Sequence, residues 1–526
     1  MFLKKEKLYK EAAVLLGILT YAYFVNWQSG NIGVMPIDSF GFLDTGYSIL
    51  KGHLPIRDFW IFTGLMVDYM EAAFIYIFGN NWNSHLAHSS FMNIVGTTGL
   101  YFFLKEYDLK ISYIVFYCLS FATLCYPLSG TPFAYIHAYI FSLIAIFTLL
   151  IAIKKNNKIL WFLIPYPCLF GFLSMQTPTA YILIILLILV IFHFYKEKNI
   201  QNLKFFIFGC ISSILLFLLF LFLTQTPIEN FIYQYLLFPI TIGEGRITSK
   251  DIAYISLIDQ INFKRLIGEF KFIHIFLVPL IIISLVNIKK NKSINNTINF
   301  TIILCTLAFF FNQLITANQI YIFSLIPILA SILHLNLKNL NYDSKLIFLI
   351  ILIVIFSTVK FHYRFNIDRK FHDLENIDKS KAVKANLIHE NLKDLKWINK
   401  FEDPNKEVIV IKKAIELLEQ DEREKILITH YQFISTILDK DYNILNRWYL
   451  WDNNTHPTEN HKYFKFYKSM VNKNIKSNNV QVIYLLGQEN EILFDNVKNY
   501  FTELCFESKT HIDKRFSSHE IINCKN

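Results

Sequence analysis

Apolar blocks of roughly 16 to 22 residues recur along the first two thirds of this chain, each close to the roughly 20-residue helix needed to cross about 30 Å of hydrocarbon. The bilayer core holds no water to satisfy backbone N–H and C=O groups, so a chain with many such blocks is restricted to a bundle of helices. Composition agrees. Of 526 residues, 54% are hydrophobic and only 17% charged, too apolar for a soluble globular protein of this length. The chain reads as a polytopic α-helical membrane protein.

The first block, about Glu11 to Trp27, follows Lys4-Lys5-Glu6-Lys7 and has no small-residue cleavage site after it. It reads as a retained span with a cytoplasmic N-terminus. The segment Phe62 to Phe78 is apolar but carries Asp68 and Glu71 near its middle, where ionised groups are expensive in a membrane. Laid along the outer interface as an amphipathic helix, it leaves further spans at roughly 86–104, 111–127, 132–153, 159–175, 178–195, 204–223, 272–288, 298–316, 319–335 and 345–359. The loops then sort by charge. Lys105, Lys110, Lys154, Lys155, Lys158, Lys196, Lys198, Lys204, Lys289, Lys290, Lys292, Lys338 and Lys345 all fall on the cytoplasmic side, as short loops prefer. The expectation is about eleven transmembrane helices within residues 1–359, in a cell membrane of the plasma or inner type. The non-cytoplasmic side receives the first external loop 28–85, the second large external loop 224–271, two short turns (129–132 and 176–179) and the C-terminus.

Residues 360–526 are of different material, charged and mixed in pattern, and long enough for one exported domain. Glu407 to Leu418 has a helical pattern. Lys425 to His430 and Val480 to Leu485 are short runs rich in apolar and β-branched residues between turn formers, the signature of buried strands. Alternation of such elements predicts a small soluble α/β domain. Five of the seven cysteines lie in predicted spans and read as small packing residues. Cys505 and Cys524 both lie in the exported domain, where a disulfide is chemically permitted. Their spacing alone leaves open whether they pair.

The chain first leaves the membrane at Pro36-Ile37-Asp38-Ser39-Phe40-Gly41. Gly46-Tyr47-Ser48-Ile49-Leu50-Lys51-Gly52-His53-Leu54-Pro55-Ile56-Arg57-Asp58-Phe59-Trp60 follows, and an interfacial segment closes at Ile77-Phe78-Gly79. This order resembles the first external loop of GT-C superfamily glycosyltransferases, among them the protein O-mannosyltransferases and the aminoarabinose transferases. In that superfamily the loop opens with an acidic residue, usually Asp-Glu, passes through Gly-x-x-Pro-x-x-Asp, and ends an interfacial helix in Phe-Gly. Asp38 matches the opening acid and Asp58 the second acidic position. Ser39 stands where the superfamily often has Glu, and Met175-Gln176 where some relatives have Lys-Gln.

The resemblance implies an inverting transfer of a sugar from a polyprenyl-phosphate donor to a hydroxyl of a glycan, lipid or protein acceptor, as in cell-envelope glycan synthesis. The attacking hydroxyl must lose a proton, and a carboxylate held beside it can serve as general base. Asp38, with Asp58 behind it, is the candidate catalytic group. Asp44, about a turn and a half further on, is expected to face water. The leaving lipid phosphate calls for cations, and Arg246 is the first choice because Gly243 and Gly245 beside it allow close backbone approach. Arg57, Lys250 and His53 are weaker candidates, since basic residues at this level also meet anionic headgroups. Tyr47, Trp60 and Tyr69 are candidates to stack on a sugar, although interfacial anchoring accounts for them equally. Gln176, Asn318 and Gln319 are candidates to bind sugar hydroxyls, a role they share with helix capping.

His85, His88 and His137 lack ligand-like spacing to a carboxylate, so core histidines are expected, with no metal and no cofactor. His430-Tyr431-Gln432 and Asn446-Arg447-Trp448-Tyr449 follow expected strands, where α/β folds place ligand groups. Nothing points to nucleic acid. A flippase or transporter of lipid-linked saccharides is the rival from another class, but the expected spans hold almost no ionisable residues for ion coupling, and no inverted repeat is evident. A polysaccharide polymerase or ligase is a closer rival. A reporter fused between Phe78 and Asn80 is expected to read as non-cytoplasmic in a topology assay, and a cytoplasmic signal there would overturn this orientation.

Overall fold

The computed structural model describes residues 2–248, 262–289, 293–316, 321–340, 344–487, 492–501, 504–512 and 514–524. A long helix α1 (Phe2–Gly30) leads into the first loop, where a single turn α2 (Pro36–Ser39) precedes α3 (Gly41–Leu50) and α4 (Leu65–Phe78). Pro36 starts α2 at a position where a missing N–H loses nothing. Gly79 closes α4 with φ +89°, a conformation that favours glycine. Helices α5 (Trp82–Glu106), α6 (Ile111–Cys125) and α7 (Ala134–Lys155) return through the bundle. There α1 packs on α5 and α6, and α5 packs on α7.

The expected count of about eleven spans is corrected here. Among the described residues six helices are long and apolar enough to cross a membrane: Ala134–Lys155, Gln176–Glu197, Ile200–Leu223, Lys271–Ile288, Asn296–Thr316 and Ser344–His372. The shortfall has a physical pattern. Ile111–Cys125 and Leu325–Asn339 are only 15 residues long, and α5 carries buried His85, His88, Ser89, Ser90 and Asn93 along its first half. Apolar blocks in the sequence therefore overstate the number of independently stable spans, because some of that surface is buried against protein. The six helices make the chain an integral membrane protein. The segment expected along the interface is the 14-residue α4, too short to span. The domain boundary expected at 359/360 falls inside the helix Ser344–His362.

The C-terminal region has the expected α/β character. Its helix Pro404–Gln420 starts at Asp403, whose carboxylate accepts the backbone N–H of Asn405 and Lys406. A two-stranded ribbon pairs β1 (Val383–Lys384) with β2 (Lys396–Trp397). The main sheet combines β3 (Lys425–Thr429), β4 (Val482–Leu486), β5 (Cys505–Ile512) and β6 (Phe516–Ile522) in the order β3-β4-β6-β5. Strands β3 and β4 are parallel and buried along their whole length, which explains why their sequences are continuous apolar runs. The helix Phe464–Ser477 lies in the crossover between them. Strands β5 and β6 form an antiparallel hairpin, and Cys505 and Cys524 at its open end are joined in a disulfide.

This domain grips the first loop. Phe40 stacks on Trp397 with ring centroids 5.8 Å apart and meets Phe433 at 4.6 Å and Trp82 at 6.0 Å. Trp60 donates its N–H to Thr455 O, and its backbone N–H bonds Leu445 O. The most constrained contact is ionic. Asp68 of α4 and Arg447 are both buried and paired, with Thr45 donating to the same carboxylate and Thr63 O accepting from the guanidinium. The guanidinium lies 4.3 Å from the Phe42 ring centroid. Gly64 makes room for it: φ there is +76°, and a Cβ would stand 2.7 Å from Arg447 Nη1.

Removing one partner of such a pair leaves an uncompensated buried charge and costs about 3–5 kcal/mol. Arg447→Met is therefore expected to lower the thermal unfolding midpoint of the purified protein sharply, and Asp68→Leu/Arg447→Met to recover most of the loss. Additive losses in the double variant would show that the two groups are not coupled.

Candidate functional site

Asp38 lies in the single turn α2, at the seam between the first loop and the C-terminal domain. The turn is closed on itself: Asp38 N and Ser39 N both donate to Met35 O, and Ser39 Oγ accepts from Met35 N at 2.9 Å. Burial pushes the Asp38 carboxyl up to about 6, with His430 pulling it down, Asp373 pushing it up and Lys400 pulling it down. His430 sits just past the carboxyl end of β3, held by a contact of Nε2 with Tyr449 O at 3.0 Å. Lys400 and Asp373 are paired with each other. A carboxyl near neutrality beside an imidazole is suited to taking up a proton at physiological pH.

The five carboxylates of the first loop differ in one respect. Asp58 accepts from Leu54 N at 2.7 Å and from Arg57. Asp68 is held by Thr45 and Arg447, and Glu71 by His85 and His88. Asp44, expected to face water, instead accepts from Ser435 of the C-terminal domain. Burial pushes the Asp44 carboxyl up to about 7, against the pull of the Ser435 hydroxyl. Asp38 alone takes no hydrogen bond from any described residue.

The other expected site residues are distributed differently from Asp38. Arg57 donates to Asp58, to Gly52 O at 2.9 Å and to Thr224 O at 3.1 Å. Its donors are thus committed to joining the first loop to the start of the second, which explains Asp58 as its orienting partner. Tyr47 and Trp60, expected to stack on a sugar, are buried at 2% and 1% exposure against the C-terminal domain, with Tyr47 OH on Asp439. Tyr69 packs edge-on to Phe220. Gln176 gives both amide hydrogens to backbone carbonyls, Phe62 O at 2.8 Å and Tyr235 O at 2.7 Å. His53 faces Asp441 at 2.8 Å. Arg246 falls in the helix Phe238–Thr248, its side chain outside the described part. Lys250, Asn318 and Gln319 lie outside the described residues.

Sequence reasoning missed three features. Asp68 and Glu71 were visible as carboxylates in an apolar segment, and the expense of burying them was itself the signal that each has a partner. His85 and His88, three residues apart on one helix face, meet Glu71, and His137 joins them. Among the described residues no group of histidine, cysteine, aspartate and glutamate has the geometry of a metal site.

No family model matches the chain, and no curated protein matches it. Among solved structures it is similar to the crystal structure of the Archaeoglobus fulgidus oligosaccharyltransferase in complex with zinc and sulfate, with a TM-score of 0.46 and 11% identity, over 89% of this chain and 67% of that one. At that level the likeness assigns no residue a role.

The raised pKa of Asp38 has a consequence for stability. A carboxyl whose folded pKa is about 6 favours the folded state below the ordinary aspartate value, and this contribution is lost as pH rises through 6. Asp38→Asn is therefore expected to be more stable than the parent at pH 7.5, by about 1–2 kcal/mol after allowance for partial exposure. The difference should vanish below about pH 4 in thermal unfolding across pH. A parent that is the more stable at neutral pH would overturn the assignment.

Proposed function

We propose that this chain is an inverting glycosyltransferase of the GT-C kind that moves a sugar from a polyprenyl-phosphate donor to an acceptor hydroxyl on the non-cytoplasmic face. The observation that carries the reading is the contrast among the first-loop acids: among the described residues four are engaged by hydrogen bonds or ion pairs and Asp38 is not. A carboxylate that takes no hydrogen bond from a described residue, on a half-buried turn at the seam of the two regions, is proposed as the point where a lipid-anchored donor and an external hydroxyl meet.

In the proposed step the acceptor oxygen bonds to the anomeric carbon, its proton passes to Asp38, and the bond from that carbon to the phosphate oxygen breaks. The lipid phosphate leaves with the bonding electron pair. Arg246 and Lys250 are the cations assigned to the leaving phosphate. Arg57 and Asp58 are assigned to holding the two external loops together, and Asn318 and Gln319 to contacts with the sugar. His430 keeps the Asp38 carboxyl from rising further.

The test gives purified protein a radiolabelled polyprenyl-phosphate sugar with candidate acceptors, alongside Asp38→Asn. Transfer is expected to fall by roughly 10²- to 10⁴-fold in the variant with donor binding retained. In the parent, kcat/KM should decline as pH drops below about 6, the value to which Asp38 is raised. Undiminished transfer by Asp38→Asn would sink the mechanism, and movement of the lipid-linked sugar across the bilayer without transfer would favour a transporter.

A further inference from the structure

Beneath the Asp38 turn runs an unbroken chain of buried polar contacts. The Ser39 carbonyl meets His85 Nε2 at 2.8 Å, and His85 Nδ1 meets Glu71 Oε1 at 2.7 Å. Glu71 Oε2 meets His88 Nδ1 at 2.6 Å, His88 Nε2 meets His137 Nε2 at 3.0 Å, and His137 Nδ1 meets the Phe133 carbonyl at 2.9 Å. Glu71 and all three histidines have 0% exposure. Among the described residues, the contact from His85 is the one hydrogen bond between the turn Met35–Ser39 and another element.

Both ends of this chain are carbonyl oxygens, which only accept. Five contacts therefore need five protons, one in each. Three neutral imidazoles bring three, and a protonated glutamate adds a fourth. The fully bonded chain thus holds one proton more than its neutral groups supply, and without it one contact must open. The surroundings suit the extra proton. Phe74 stacks on His88 at 5.1 Å and Trp82 lies 5.3 Å from His85, and aromatic faces attract cations. The other titratable neighbours are accounted for: Asp68 on the same helix is paired with Arg447, and the Tyr126 hydroxyl accepts from Phe133 N at 3.1 Å.

We propose that Glu71, His85, His88 and His137 are a positioning unit for Asp38, in which His85 clamps the Ser39 carbonyl and the chain stays fully bonded only while it carries one excess proton. The role for Asp38 rests on the transferase reading, but the protonation state does not. Ser39 is the residue next to the proposed base, so opening the clamp moves Asp38 relative to the acceptor. The extra positive charge beneath the turn also favours the ionised form of Asp38.

The test uses the full-length protein in lipid nanodiscs, labelled with ¹⁵N-histidine. At pH 7.5 the spectra are expected to show either two doubly protonated imidazoles or one beside a protonated Glu71 carboxyl seen by infrared, a signal lost in both His85→Asn and His88→Asn. His137→Gln ends the chain one contact earlier, its amide satisfying His88 without the extra proton. It is expected to lose that signal, lower kcat about tenfold with donor KM within about twofold, and move the pH midpoint of kcat/KM upward. If His137→Gln does not fold, His137→Asn should give the same changes, because without the contact from residue 137 His88 needs no extra proton. Only neutral imidazoles in the parent, a single doubly protonated imidazole beside an ionised Glu71, or an unmoved pH midpoint in variants that fold, would overturn the unit. A parent without transferase activity but with the doubly protonated signal would overturn the transferase reading and leave the proton-holding chain standing.

Discussion

The buried pair of Asp68 and Arg447 is the contact on which the rest of the architecture leans. Two charges withdrawn from water are tolerable only with close geometry and with their remaining hydrogen bonds filled, and Thr45, Thr63 and the face of Phe42 meet that demand. Because Asp68 lies on the short helix α4 of the first loop and Arg447 in the C-terminal domain, satisfying the pair forces the two regions together. Phe40 and Trp60 then bury their rings in the space this creates. A C-terminal domain that could have hung from the last helix becomes the roof over the first loop.

That roof decides the chemistry available beneath it. Asp44 is drawn to Ser435, Tyr47 to Asp439 and Trp60 to Thr455, so groups that looked exposed in the first loop are spent on assembly. What remains is Asp38, lifted toward neutrality by partial burial and faced by an imidazole from the end of β3. Below it, Glu71 gathers three histidines into a chain reaching the Ser39 carbonyl. Two acids three residues apart on α4 thus do different work, one holding the roof and the other the floor.

Much of this was legible in the residues. The apolar blocks announced a membrane bundle, the run ending Phe78-Gly79 a helix, and the continuous apolar stretches near 425 and 480 a pair of buried strands. The helix beginning near residue 404 was visible from its own periodicity. These are local signals, set by spacing of apolar residues and by turn formers. The number of spans was not legible, since an apolar block reads the same whether lipid or protein covers it, as Ile111–Cys125 and Leu325–Asn339 illustrate.

The candidate site divides along the same line. Residue order alone puts an acid just after the first apolar block, because that depends only on the position of Asp38 in the chain. Whether an acid is engaged depends on partners hundreds of residues away: Arg447 for Asp68, Ser435 for Asp44. That Asp38 is the one first-loop acid without a hydrogen bond among the described residues was settled by the assembled pair of domains, because hydrogen bonding and burial belong to no segment alone.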